Sequence, residues 1–224
     1  MDQTTKRTGW VRRGVPQPES VADHSFRVAL FALVASSSSS SQAPSSSSSA
    51  AAAASSSSPP FDASRAVKIA LVHDLAEAIV GDIAPGDNVP KAEKARREAE
   101  AMAEMRRMLE GGGGGGGDGG GGGGGGGDGR GGSGGRVTLG AEVEALFEEY
   151  EKGESPEAQL VKDCDKLEML LQAVEYEKES GEETAGGGPA LDLSEFFEGV
   201  RGKLKTEIGR NWALEIEGRR PKRG

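Results

Sequence analysis

Apolar residues recur at helical spacing along most of this chain, and they never alternate with polar residues for long enough to predict a sheet. From near Ser20 to Ser36, a broad apolar face predicts a first helix. Asp62 or Ser64 can cap a second helix, in which apolar residues wrap most of the circumference up to about Val80. That second pattern is typical of a central helix buried on more than one side.

Beyond Pro90, four further stretches carry an apolar stripe and predict amphipathic helices. One of them starts at Ser155 and Pro156, a hydroxyl cap followed by a proline in the first turn. The predicted spans run from Pro90 to Leu109, from Val143 to Gly153, from Ser155 to about Ser180 and from about Leu193 to Leu204. Together these elements predict the all-α class, as a helical bundle.

Two low-complexity tracts interrupt the helical pattern. Serine, alanine and proline fill residues 36–60, and glycine fills most of residues 111–135. We interpret the first tract as a flexible insertion and the second as a linker, because neither can bury enough apolar surface to offset the entropy of ordering it. Without them roughly 170 residues remain for packing, which suits one core. Residues 1–224 are therefore predicted to form a single, interrupted domain.

Composition and charge narrow the function. The net charge of −9 argues against a nucleic-acid binder that relies on phosphate neutralisation, but it permits a small anionic substrate held by a metal and a few local cations. Cys164 is the single cysteine, so no internal disulfide can form and a reducing compartment is expected. No run of about 18 apolar residues predicts a membrane span, and the first residues lack a signal-peptide core. A cytoplasmic location is the resulting prediction.

The segment HDLAEAIVGDIAP concentrates polar groups in an otherwise apolar run. His73 and Asp74 are adjacent, Glu77 lies on the same helical side as His73, and Asp82 follows Gly81 where the helix should stop. Each residue alone has a structural interpretation: a core histidine bonded to a carbonyl, a capping aspartate, or a solvated acid. Their concentration in one short segment favours a site for a divalent cation.

Two other helices can complete such a site. His24, the other of the two histidines, lies in the first turns of the first helix. The helix after Ser155 offers Asp163 and Asp165, and both lie between apolar residues, so periodicity does not choose between them. Two imidazoles and two carboxylates suit Mn, Co, Fe, Zn or Mg. A cation held in this way lowers the pKa of bound water and neutralises developing phosphoryl charge.

These motifs resemble those of a known superfamily. The segments ESVADHSFRVA, LVHDLAEAIVGDIAP and VKDCDKLEM are similar to the HD-domain phosphohydrolases, and RTGWVRRGVPQPESVADHS together with HDLAEAIVGDIAP resembles their 5′-deoxynucleotidase branch. The resemblance covers nearly all the chain outside the two tracts. It implies an all-helical enzyme, a metal-dependent phosphomonoester hydrolase that converts deoxyribonucleoside 5′-monophosphates to the nucleoside and phosphate.

The resemblance also assigns roles to particular residues. It implies four ligands of a first divalent metal, with Mn, Co or Mg preferred: His24, His73, Asp74 and Asp165. Glu77 would act on the attacking water or help to hold a second cation. Asp82 and the backbone of Ile83 would contact the second metal or the substrate, and Arg7 and Trp10 are implied in phosphate and sugar binding.

Alternatives to this function remain open at the level of sequence. Another HD-type hydrolysis would act on a cyclic nucleotide, a dNTP or a guanosine polyphosphate. A non-catalytic, metal-dependent nucleotide-binding module would use the same ligands without turnover, and a helical scaffold would use the polar cluster structurally. Neither a nucleic-acid nor a membrane partner is expected. Because such homologues are often dimeric, the resemblance also implies a homodimer.

Overall fold

A computed structural model describes residues 5–40, 61–111, 137–183 and 191–221. Within these ranges the chain forms helices joined by short loops, and the only β-type pairing is one isolated antiparallel bridge between Lys6 and Ser20. This confirms the predicted all-α class. The helices are α1 (Thr8–Arg12), α2 (Val21–Ser40), α3 (Ala63–Val72), α4 (Glu77–Val80), α5 (Lys91–Gly111), α6 (Leu139–Lys152), α7 (Pro156–Glu183), α8 (Ser194–Val200) and α9 (Glu207–Gly218).

Helix α7 lies at the centre of the bundle. It packs against α2, α3 and α6 on one side and against α8 and α9 on another. The core around its first half includes Val28 from α2, Ile69 from α3 and Leu160 from α7, all with at most 1% of their surface exposed. A second core around its later turns contains Leu167 and Trp10. Cys164 is buried and free.

Helix α2 continues one turn beyond the predicted end at Ser36, so that boundary was wrong. The Ser36 hydroxyl donates to the carbonyl oxygen of Ala32 at 2.7 Å, which satisfies the polar side chain inside the helix. The remainder of the predicted insertion, residues 41–60, and the predicted glycine linker from residue 112 onward lie outside the described residues. The interpretation of those tracts, and of residues 1–224 as one domain, stays a prediction.

The predicted helix from Asp62 to Val80 is broken in the middle. Asp62 does cap α3, accepting from the backbone N–H of Arg65 at 3.0 Å. The helix ends at Val72, however, and the next turn closes through tighter bonds between residues three apart, such as Leu75 N–H to Val72 O at 3.0 Å. This break lies at His73 and Asp74 and turns both side chains toward one cavity.

The C-terminal prediction was also wrong. A helix from about Leu193 to Leu204 was expected, but α8 ends at Val200 and a separate helix, α9, follows. Gly202 has a φ of 76°, which lies in the left-handed region and ends the first helix. Thr206 then caps α9 by accepting from the backbone N–H of Gly209 at 2.9 Å.

The segment before α2 folds back across the bundle and closes one side of the cavity. The Arg7 N–H donates to the Glu19 carbonyl at 3.1 Å, and the Val21 N–H donates to the Thr5 carbonyl at 2.9 Å. Trp10 is 2% exposed and packs against the Phe196 ring, with centroids 4.5 Å apart. Together, these contacts fix the basic N-terminal segment against α8.

Candidate metal centre and substrate cavity

Three side chains, His24, His73 and Asp74, bring their donor atoms close enough together to hold one metal ion, and Asp165 lies beside His24. His24 comes from α2, His73 and Asp74 from the break after α3, and Asp165 from α7. The Nε2 of His24 lies 3.2 Å from Asp165 Oδ1 and 3.6 Å from Asp74 Oδ2. The Nε2 of His73 lies 3.3 Å from the same Asp74 oxygen. Donors placed about 2.0–2.2 Å from one divalent cation would lie roughly 3 Å apart, so the spacing fits a cation at their centre.

The two imidazoles face this point with their free nitrogens. Both Nε2 atoms are buried and lack a hydrogen bond of acceptable geometry to any described residue. The Nδ1 of His73 lies 2.7 Å from the Ala70 carbonyl, and the Nδ1 of His24 contacts the Glu168 carboxylate. Each Nδ1 can therefore carry the proton, which leaves both Nε2 lone pairs directed at the carboxylates. Such a donor set fits a transition-metal or magnesium ion.

Charge in the metal-free cluster is strongly unbalanced. Burial and Arg7 lower the pKa of His24, but the neighbouring carboxylates of Asp165 and Glu168 outweigh them and raise it to about 10. Burial raises the pKa of Asp74, yet the adjacent His73 imidazole and the charge of Arg7 bring that pKa far below its usual range. The site therefore attracts positive charge and takes a proton in the absence of a metal ion.

Geometry separates the two aspartates that periodicity left undecided. Asp163 is fully buried on the far side of α7, where it accepts from the backbone N–H groups of Lys205 and Thr206 at 2.9 and 2.7 Å. Asp165 instead accepts from the Tyr150 hydroxyl at 3.1 Å and faces His24. Asp163 thus anchors the start of α9, and Asp165 is the aspartate that the fold brings to the cluster.

Glu77 opens α4 and points into the same cavity. Its side chain is 5% exposed, and its Oε2 has no hydrogen-bond partner among the described residues. The nearest cation is the Lys94 ammonium, 3.9 Å from Oε1. Burial, together with the nearby charges of Asp74 and Asp82, raises the pKa of Glu77 to about 9. A buried carboxyl without a partner beside an acidic cluster is suited to hold a proton or to share a cation.

Asp82 has a contact that the sequence pattern did not predict. Its carboxylate accepts from the backbone N–H of Thr8 at 2.6 Å, and its carbonyl accepts from the Thr8 hydroxyl at 2.7 Å. The carbonyl of Ile83 accepts from the Lys94 ammonium at 3.2 Å. Both residues line the cavity. Asp82 therefore ties the N-terminal segment to the acidic loop in addition to facing the cavity.

Arg7 and Trp10, predicted from the same motif, occupy different positions. The Arg7 guanidinium donates to Asp74 Oδ2 at 3.0 Å, and although burial opposes its charge, the surrounding carboxylates raise its pKa above the ordinary value. Trp10 lies in the cavity wall, but its indole N–H donates to Glu19 Oε1 at 2.8 Å on the buried side. The indole can therefore offer the cavity only its ring.

The cavity is large and rimmed by basic side chains. Its volume is about 870 Å³, within the range of small-molecule sites. Although the chain is acidic overall, basic residues from several elements surround the acidic cluster: Arg7, Arg12, Arg13, Lys91, Lys94, Lys162, Lys166 and Lys203. Some of these cations already pair with Asp87, Glu98 or Glu195, and the others are available to contact an anionic ligand in the cavity.

Three residues of the site escaped prediction from sequence. Tyr150 lies on the amphipathic helix predicted from Val143 to Gly153 and was given no role in the site, yet its hydroxyl reaches Asp165. Glu168 and Lys94 lie on helices with many charges, where a solvated face is the ordinary interpretation. The spacing of Glu168 three residues after Asp165 was the available signal, because residues three apart share a helical face.

Comparison with known proteins shows the family of this chain. The HD domain family model matches residues 2–49 and 45–210, and the chain belongs to this family. A zebrafish (Danio rerio) protein named 5′-deoxynucleotidase HDDC2 is 40% identical over 198 residues, covering 88% of this chain and 72% of the relative. A Dictyostelium discoideum protein of the same name is 33% identical over 215 residues, covering 96% and 90%. The Schizosaccharomyces pombe 5′-deoxynucleotidase hdd1 is 35% identical over 195 residues, covering 87% and 73%.

Solved structures show the same architecture. A conserved hypothetical protein from Pyrococcus furiosus is 32% identical, with a TM-score of 0.57, covering 97% of this chain and 92% of that one. A protein from Pyrococcus horikoshii OT3 is 28% identical, with a TM-score of 0.60, covering 97% and 91%. In addition, no helix among the described residues is long and apolar enough to span a bilayer.

Proposed function

We propose that this chain is a metal-dependent 5′-deoxynucleotidase, which hydrolyses deoxyribonucleoside 5′-monophosphates to the deoxynucleoside and phosphate. The observation that carries the proposal is the grouping of His24, His73 and Asp74, with Asp165 beside His24, next to a cavity lined by several basic side chains. The relatives named as 5′-deoxynucleotidases at 33–40% identity supply the substrate class.

The proposed ligands of the metal are His24 and His73 through Nε2, together with the carboxylates of Asp74 and Asp165. Mn, Co and Mg are the preferred ions, and Zn and Fe also suit the donor set. When bound, the ion activates a water molecule and stabilises charge on the phosphoryl oxygens. Tyr150 holds the Asp165 carboxylate through its hydroxyl, and the break after α3 fixes the orientation of His73.

The remaining residues bind and orient the phosphate. Arg7 lies beside Asp74 and offers a guanidinium to the anion at the floor of the cavity, while Lys94 lies between Glu77 and Ile83. In the proposed reaction, water attacks the phosphorus of the deoxynucleoside monophosphate. The P–O5′ bond breaks, and the 5′ oxygen of the nucleoside gains a proton. With a cation bound beside Asp74 to offset the carboxylate repulsion, Glu77 would be ionised and would take the proton of the attacking water through Oε2, or would share a second cation with Asp82. The Trp10 ring forms the wall against which the sugar packs.

The test is phosphate release from dAMP, dCMP, dGMP and dTMP by purified protein with Mn or Co added. The matching ribonucleotides, a cyclic nucleotide, a dNTP and a guanosine polyphosphate belong in the same panel. We expect release from the deoxyribonucleoside monophosphates and its loss in Asp74→Asn. If only one of these other compounds is hydrolysed, that compound replaces deoxyribonucleoside monophosphates as the proposed substrate. Metal-dependent nucleotide binding without any hydrolysis would favour the non-catalytic binding module.

A homodimer is part of the proposal. The outer face of α2 exposes a row of large apolar side chains: Phe26, Leu30, Leu33 and Val34. Next to them lies an apolar groove of about 380 Å³ that includes Trp212 and Ile216 of α9. Such a contiguous patch is suited to an interface between two copies.

Since deoxynucleoside monophosphates are made and consumed inside cells, we also propose a cytoplasmic location.

A further inference from the structure

A chain of side chains, all buried except the partly exposed Arg27, runs behind the cavity and joins Trp10 to His24. The Trp10 indole donates to Glu19 Oε1 at 2.8 Å. The Arg27 guanidinium contacts Glu19 Oε2 with one nitrogen and donates from Nε to Glu168 Oε1 at 2.6 Å. The other oxygen of Glu168 contacts Nδ1 of His24. Each bridging side chain contacts its two neighbours through two different atoms, so the contacts can all form at once. The network is therefore continuous from the cavity wall to the metal cluster.

Burial makes this network costly unless it is complete. His24 is fully buried, Glu168 is 1% exposed and Glu19 is 7% exposed. Two buried carboxylates this close to each other repel, and their burial leaves little water to screen them. Arg27 lies between them and supplies the compensating charge to both. Glu19, His24 and Glu168 also have the donors to hold a metal ion, but the guanidinium already occupies the position of a cation among them.

The side of His24 that Glu168 contacts determines what the other side can do. An imidazole that donates from Nδ1 to a carboxylate has its Nε2 lone pair free, whereas the other tautomer would direct a proton at Asp74 and Asp165. Glu168 therefore selects the tautomer suited to metal binding and increases the basicity of the ring. Without Arg27, Glu168 would be drawn away or neutralised, and this selection would weaken.

We propose that Glu168 and Arg27 are positioning residues: they hold His24 with its Nε2 directed at the metal centre, and through Glu19 they fix the Trp10 ring in the cavity wall. The inference deepens the proposed function and rests on it for the identity of His24 as a ligand. Neither Glu168 nor Arg27 lines the cavity, so both act through the residues they hold.

His73 supplies an internal reference for a test. Its Nδ1 is held by the backbone carbonyl of Ala70, which no side-chain substitution in the network removes. The chain contains only these two histidines, so the imidazole signals in an NMR spectrum belong to His24 and His73 alone. A positioning role predicts a change at His24 only, while a general loss of structure would change both.

The first experiment measures Mn²⁺ affinity of the full chain by titration of metal-free protein. Glu168→Gln keeps the shape and removes the charge, and we expect it to weaken Mn²⁺ binding by roughly 10–100-fold, as is usual for an outer partner of a histidine ligand. The matched control is Glu179→Gln, an exposed glutamate on the same helix, for which we expect wild-type affinity. Equal affinity in wild type and Glu168→Gln would overturn the inference.

The second experiment records ¹⁵N-histidine spectra of the Zn²⁺-loaded proteins. We expect Glu168→Gln to shift the His24 ring nitrogens and leave those of His73 in place; an unchanged His24 overturns the inference, as does an equal shift of both rings. If Glu168→Gln does not fold, Arg27→Lys takes its place, because an ammonium cannot reproduce the guanidinium contacts to both carboxylates. Wild-type Mn²⁺ affinity in Arg27→Lys would overturn the inference.

These outcomes separate the inference from the proposed function. If the wild type binds Mn²⁺ but hydrolyses none of the deoxyribonucleoside monophosphates, the substrate class fails while the positioning role is still tested by affinity and by spectra. If the wild type is active and binds Mn²⁺ no more tightly than Glu168→Gln does, only the positioning role fails.

Discussion

Asp163 and Asp165 lie two residues apart on α7, yet their carboxylates face different partners. Asp163 accepts from the backbone at the start of α9, and Asp165 accepts from Tyr150 and faces His24. The Gly209 backbone passes so close to Asp163 that a Cβ there would lie 2.6 Å from Oδ2. One helix thus carries an acid that holds the fold beside an acid that is available for chemistry.

The two aspartates give the first prediction. Asp165→Asn removes a proposed ligand charge without changing the side-chain shape, so we expect phosphate release to be lost. Mn²⁺ affinity should fall by more than about 100-fold, because losing a ligand costs more than losing a residue that only orients one. Asp163→Asn places an amide against backbone N–H donors and should cost about 1–3 kcal/mol of unfolding free energy. Activity assays and thermal melts on both variants check this. Full activity in Asp165→Asn would remove it from the metal site.

Much of the site could be predicted from the chain, and the missing parts have physical causes. The adjacent His73 and Asp74 stand out because so few polar residues interrupt that apolar run. The break in the helix after Val72 was missed because the apolar pattern continues through it. Periodicity could not separate Asp163 from Asp165, because α7 is buried around most of its circumference and both acids fall on apolar lines.

Other features were missed because their signals are local or common. Helix α9 begins with a Thr206 cap and carries apolar residues four apart at Ile208, Trp212 and Ile216, a weak signal beside the charges that surround it. Glu168 resembles any charged residue on a helix until the fold brings it against His24 and Arg27. The partners of a buried charge lie far away in sequence, so the spacing of residues along one helix cannot predict them.

Proton release on metal binding is the second prediction. In the metal-free protein the pKa of His24 is raised to about 10, so this residue is protonated at pH 7 and must lose that proton when Nε2 binds a metal ion. Metal affinity should therefore increase as the pH rises from 6 to 9. Calorimetric titrations with Mn²⁺ in buffers of different ionisation enthalpy measure the protons released. A binding heat that does not depend on the buffer would contradict the prediction.

The same raised pKa has a consequence for stability without metal. A group whose pKa is higher in the folded state contributes stability below its unfolded pKa, near 6.5, and this contribution is lost as the pH rises toward 10. Metal-free protein should therefore melt at a lower temperature at pH 9 than at pH 7. Saturating Mn²⁺ should reduce that difference, because the cation replaces the proton. Melting curves at both pH values, with and without Mn²⁺, check this.

Phosphate binding by Arg7 is the third prediction. Arg7→Gln removes the guanidinium beside Asp74. We expect the KM for deoxyribonucleoside monophosphates to rise by roughly 10–100-fold, because one charge-assisted hydrogen bond to the phosphate is lost. Arg97→Gln provides the control, since Arg97 is exposed on α5 and pairs only with Glu93 among the carboxylates of the described residues. A KM that changes equally in both variants would point to net charge and not to a specific contact.

Dimer formation is the fourth prediction. Leu30 is 44% exposed in the apolar row on α2, so Leu30→Glu should place a charge in the proposed interface and shift the protein toward monomer. Met108→Glu adds the same charge to an exposed apolar position on α5, which is 57% exposed and outside that row. Sedimentation velocity over a range of protein concentrations measures both. A wild type that is monomeric at every concentration would contradict the proposal, as would an unchanged dimer in Leu30→Glu.

Glu77 gives the last prediction, and it separates the two roles proposed for this residue. Glu77→Gln keeps the side-chain volume in a nearly fully buried position but can no longer accept a proton, so kcat should fall by about 10²–10⁴-fold. If Glu77 acts on the attacking water, the number of Mn²⁺ ions bound per chain stays the same. If it shares a second cation with Asp82, that number falls by one while the first site keeps its affinity. Kinetics and metal counting on the same preparation distinguish the two, and an unchanged kcat would exclude both. Glu98→Gln, on α5 and paired with Lys94, tests whether any change comes merely from a lost carboxylate at the cavity.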